Sequence, residues 1–85
     1  MRAPSQRRAK AVHAFVLIET KPGKALEVAA RVTKIPGVLG AWACTGPYDV
    51  IAHVEAVDMK SVGRMVAITL QRVSGIERTI TCVTI

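Results

Sequence analysis

Cysteine is scarce in this 85-residue chain. Cys44 and Cys82 are the only two, and no CxxC spacing occurs. That excludes a disulfide framework and a thiolate zinc site, and it fits a reducing, cytoplasmic compartment. No stretch approaches the roughly 18 apolar residues of a membrane span. An export signal is not expected either. Arg7-Arg8 precedes the apolar run Ala11–Ile18, but that run is short and contains His13, and it meets Glu19 and Lys21 where a small-residue cleavage site belongs. There is no Ser-His-Asp grouping, phosphate loop or paired-carboxylate spacing, so catalysis and cofactors have little support. Repeats and low-complexity stretches are absent too.

What the chain does have is apolar residues. They make up 51% of the sequence, and mean hydropathy is +0.34. One domain of this size buries only roughly 60% of the surface its unfolded chain exposes. Self-association is the simplest way to cover the remainder. The net charge of +6 is uneven. Arg2, Arg7, Arg8 and Lys10 stand before any acid, which marks residues 1–11 as a basic, flexible tail ahead of a domain at 12–85. Such a cluster offers phosphates a sequence-independent attraction at best.

Val12–Thr20 is rich in β-branched and apolar residues, as a covered strand requires. Lys21-Pro22-Gly23 breaks it. Lys24–Lys34 predicts a helix with Leu26, Ala29, Ala30 and Val32 inward, ended by Ile35-Pro36-Gly37. Val38–Thr45 and Val50–Ala56 predict a hairpin around Gly46-Pro47-Tyr48-Asp49. Asp58 is a candidate N-cap for a helix over Met59–Val73, and Gly75 a candidate C-terminal cap. Glu77–Ile85 is the last strand. The order β-α-β-β-α-β implies an α+β, ferredoxin-like domain, with a four-stranded antiparallel sheet carrying both helices on one face.

On the first strand Val12, Ala14, Val16 and Ile18 alternate with His13, Phe15, Leu17 and Glu19. On the third, Val50, Ala52 and Val54 alternate with Ile51, His53 and Glu55. The wholly apolar sets suit the helix side. The mixed set is expected to face a second sheet, giving a sheet-to-sheet dimer with a wet rim. His13 and His53 are read as lying on parallel neighbouring strands, on the order of 10 Å apart, too far to share a metal. Cys44 and Cys82 fall on opposite edges, three spacings of about 4.8 Å apart, beyond the roughly 7 Å reach of a disulfide.

The turn carries the candidate binding chemistry. Gly46 lets a ligand approach the backbone, Tyr48 offers a ring and a hydroxyl, and Asp49 is a partner for an ammonium group. The alternative is an ordinary hairpin turn in which Asp49 accepts from nearby backbone N–H groups. Thr79 and Thr81 share one face of the last strand, as β-formers or as site hydroxyls.

AFVLIET (14–20), PGK (22–24), IPGV (35–38), TGPYDVIAHVEA (45–56) and GIERTITCVTI (75–85) together resemble the C-terminal effector (RAM) domain of the Lrp/AsnC, or feast/famine, transcription regulators. The resemblance implies sheet-against-sheet dimers that assemble into rings, often octameric. It also implies an amino acid or related metabolite bound between dimers, with Gly46, Tyr48 and Asp49 bordering the site and Thr79 and Thr81 contributing. Family regulators carry an N-terminal helix-turn-helix domain for which Met1–Ala11 leaves no room, so a stand-alone effector module is expected. Sequence-specific DNA binding of its own is not expected, and a full-length relative is a candidate partner. Two other readings share the strand order. One is a small monooxygenase-like or isomerase-like enzyme using His13 or His53 as a base, and the other is an ACT-like amino-acid sensor that pairs sheets edge to edge.

Overall fold

The computed structural model describes residues 11–85, so all of the basic tail except Ala11 lies outside the described residues. Four strands, β1 (Val12–Thr20), β2 (Val38–Ala43), β3 (Val50–Ala56) and β4 (Ile76–Val83), form one sheet in the order β2-β3-β1-β4. All three pairings are antiparallel. This is the ferredoxin-like arrangement implied by the sequence, with β1 and β3 central.

Helix α1 (Ala25–Thr33) turns Val28, Ala29 and Val32 into the core. Leu26 is 80% exposed and Ala30 also faces out, so the expected inward stripe is rotated. Positions 28, 29 and 32 are the ones that one-turn spacing places together over the sheet. At the far end, Gly75 has φ +98°, and a Cβ there would stand 3.0 Å from Val28 Cγ2. The left-handed backbone and the close approach both require glycine.

Helix α2 begins where Asp58 Oδ1 accepts from Ser61 N–H at 2.7 Å, the expected N-cap. It runs as α-helix over Met59–Arg64, widens to a π-helix over Met65–Thr69 and tightens to a 3₁₀ turn over Leu70–Arg72. The widening has a packing reason. Val62 and Leu70 are both buried, and at about 100° per residue an unbroken α-helix would set them roughly 80° apart around the axis. A π turn holds about 4.4 residues, so five residues of it remove most of that offset.

The core lies between this helical layer and one side of the sheet. Ala14, Val16 and Ile18 of β1 and Val50, Ala52 and Val54 of β3 have no exposed surface, as the alternation required. Among the described residues, no helix covers the opposite side of the sheet.

Candidate functional site

The loop between β2 and β3 is wider than the expected tight turn. Cys44 N–H donates to Asp49 O at 2.9 Å, closing residues 45–48 into a bend. Cys44 Sγ points its weak donor at Tyr48 O, 3.5 Å away. Gly46 has φ +139°, and a Cβ there would meet nothing within 4 Å, so backbone conformation rather than crowding selects glycine. Asp49 ties this loop to the end of β1 twice. Its N–H donates to Ile18 O at 2.9 Å, and its Oδ2 accepts from Thr20 N–H at 2.8 Å. Thr20 N–H points to the β3 side, past that strand's first residue Val50, so the carboxylate takes the place of a ladder partner. The backbone-accepting role weighed for Asp49 is therefore present.

Thr79 and Thr81 pair with Ile18 and Val16, so they stand on the helix side of the edge strand β4. Thr79 is in the row of Ile18 and Val50, at the sheet end that carries the loop. Its Oγ1 accepts from Gln71 Nε2 of α2 at 3.2 Å. The structure thus brings Gly46, Tyr48 and Asp49 together, with Thr79 at the same sheet end and Thr81 one row further in. A groove of about 290 Å³ elsewhere, lined by Ile35, Pro36, Arg64, Met65 and Ile68 among others, includes none of these five residues.

The open sheet face is the larger feature. One row crosses all four strands: Trp42, Ile51, Leu17 and Ile80. The next holds Gly40, His53, Phe15 and Cys82. Trp42 is 56% exposed, Ile80 40% and Phe15 38%. Glu55, also on this side and opposite His13, is buried. A contiguous apolar face of this kind is a candidate binding surface.

The histidines correct the sequence reading. β1 and β3 are antiparallel, not parallel, and His13 Nδ1 lies 3.0 Å from His53 Nε2. The crossover makes β1 and β2 parallel and the hairpin reverses β3. The start of β1 therefore meets the end of β3, and His13 and His53 are diagonal neighbours rather than about 10 Å apart. Phe15 stacks on His53 with ring centroids 4.7 Å apart. Burial holds the His53 imidazole below its ordinary pKa of 6.5, His13 adds to that lowering, and Glu55 opposes it. Cys44 and Cys82 are free thiols at opposite sheet edges, as expected. Among the described residues, no helix is long and apolar enough to cross a membrane, and no three metal-ligating side chains converge.

Comparison with known proteins agrees with this architecture. The family described as the Lrp/AsnC ligand binding domain matches residues 13–85. An uncharacterised HTH-type transcriptional regulator of Pyrococcus furiosus is 37% identical over 73 residues, which cover 82% of this chain and 49% of that protein. The chain spans about half the length of the curated relatives it matches. The crystal structure of a hypothetical protein from Pyrococcus horikoshii superposes with a TM-score of 0.80 at 31% identity, covering 87% of this chain and 89% of that one. A transcriptional regulator of Neisseria meningitidis, solved as a complex with L-Met, shares the fold. Its TM-score is 0.83 at 24% identity, and the match covers 100% of this chain and 56% of that one. With its sheet order, its core and a family match over nearly every described residue, the chain belongs to the Lrp/AsnC ligand-binding domain family.

Proposed function

We propose that this domain senses a small zwitterionic effector, an amino acid or a close relative, and converts its binding into a change of assembly. The observation that carries the proposal is the apolar row Trp42–Ile51–Leu17–Ile80 on the side of the sheet that no helix among the described residues covers. A second copy packed sheet against sheet buries that row and leaves the more polar ends of the face as a wet rim. Dimers of this kind then meet through the exposed β2–β3 loops to form larger rings.

The effector sits at that second contact. Asp49, pinned to the end of β1 through Oδ2, offers its carboxylate to the ammonium group. Tyr48 supplies a ring for the side chain, and Gly46 admits close approach to the backbone. Thr79, at the same end of the sheet, and Thr81, one row further in, are the hydroxyl donors for the effector carboxylate. The L-Met complex of the Neisseria meningitidis regulator supports an amino acid as the class. Coupling follows if the effector binds one assembly state more tightly than another.

The test is a thermal-shift screen of the twenty amino acids together with sedimentation across micromolar concentrations. A ligand at 100 times its dissociation constant adds about 2.7 kcal/mol. For a domain this small that raises Tm by roughly 10–20 °C. Asp49→Asn abolishes the shift without dissociating the sheet-to-sheet dimer. A monomer at every concentration, with no ligand response, refutes the proposal.

A further inference from the structure

The sheet face holds a chemical feature that effector binding does not use. His13 and His53 are the only histidines in the chain, and they meet on one surface with Nδ1 and Nε2 3.0 Å apart. Two imidazole nitrogens about 2.1 Å from one ion, subtending 90–109°, stand roughly 3.0–3.4 Å apart. The observed 3.0 Å lies at the 90° end of that range, so the two nitrogens must part by about 0.4 Å to hold a tetrahedral ion. Each ring is held in place. His53 is stacked on Phe15, and both histidines sit on central strands whose backbone bonds fix their spacing. The centroids lie 5.2 Å apart with the planes tilted by 35°, so the two nitrogens face one another as in an N–H···N hydrogen bond, and binding an ion requires both rings to turn toward it.

We infer that His13 and His53 form a two-nitrogen chelate for a divalent transition metal of borderline softness, such as Zn²⁺. Imidazole suits this class of ion. The ligating form is neutral imidazole. Proton balance is simple. In the neutral pair one ring donates to the other across the 3.0 Å contact. On binding, the donor ring moves its proton to its other nitrogen. His13 then carries hydrogen on Nε2 and His53 on Nδ1, with no net proton released. Glu55, the cross-strand partner of His13, adds negative charge beside the site. No third metal-ligating side chain converges among the described residues, so water completes the coordination shell. The chelate is built within one chain and does not depend on the effector proposal.

Zinc chloride titrated into the ¹⁵N-labelled 85-residue chain tests it. Two histidines give two sets of imidazole nitrogen signals. Saturable shifts at His13 Nδ1 and His53 Nε2 are expected at micromolar zinc. By calorimetry, His13→Gln and His53→Gln each weaken binding at least about tenfold. The wild-type spectra give a readout that does not depend on how well either variant folds. Zinc held by Cys44 or Cys82 would leave the imidazole signals and both variants' affinities unchanged. That result overturns the inference, as does the absence of saturable binding.

Discussion

The indole of Trp42 lies over Gly40, two residues back on the same strand, so closely that a Cβ at position 40 would stand 2.7 Å from its Cη2. Gly40 is buried and Trp42 is not, so the glycine serves as the floor on which the ring rests. Gly40→Ala keeps the strand, because the backbone there is not left-handed, but lifts the ring off the face. Trp42 is the only tryptophan, so its emission reports that movement directly. The expected result is altered emission, unchanged circular dichroism and a dimer weakened by roughly fivefold, about 1 kcal/mol.

Leu17 sits at the middle of the open face, between Ile51 and Ile80. Leu17→Arg places a charge where the second sheet packs and leaves the helix side of the sheet untouched. Light scattering is expected to give a folded monomer at concentrations where the native chain is dimeric. The dissociation constant rises by about a hundredfold or more, in line with the cost of an unpaired charge at an interface.

The over-wide turn in α2 makes a separate prediction. Leu70 has no exposed surface, whereas Ile68, two residues earlier, is 48% exposed. In chemical denaturation Leu70→Ala costs about 2–5 kcal/mol, while Ile68→Ala stays within roughly 0.5 kcal/mol. Similar costs at the two positions would show that the π segment does not orient the helix as described.

Stability should fall on acidification through His53. The folded pKa of His53 is lowered below the unfolded value of 6.5, so the unfolded chain takes up the proton first. The contribution is complete above pH 6.5 and declines as the pH drops below it, levelling once the folded imidazole is itself protonated. Thermal unfolding of the native chain and of His53→Gln, followed from about one pH unit above to about one and a half below the unfolded value of 6.5, checks this. The variant is expected to lose the histidine-dependent part of the decline.

Much of this architecture was legible beforehand because β1 and β3 are long, central and strictly alternating. Their limits, Val12–Thr20 and Val50–Ala56, agree with the expected ones. The edge strands were less so: β2 stops at Ala43 and β4 runs Ile76–Val83. An edge strand has only one ladder to define where it ends. Leu26 was misplaced because hydrophobicity alone does not tell whether a helix's first turn lies over the sheet. The histidine contact was missed through strand direction, not composition. Paired β1 and β3 residue numbers sum to a constant, as with His13 and Glu55 or Phe15 and His53, and reversing one strand scrambles every such pair. The turn pattern suggested a backbone-accepting role for Asp49 but not its donor, because Thr20 lies 29 residues away on another strand.

The widened turn at Met65–Thr69 also bears on how the gene can drift. Val62 and Leu70 both reach the interior because that segment carries about one residue more than a regular helix needs. A single-codon deletion inside it is absorbed by reverting to ordinary winding, while an added codon would swing Leu70 away from the sheet. Length variation among descendants of this sequence should therefore be lopsided here, with losses retained and gains purged.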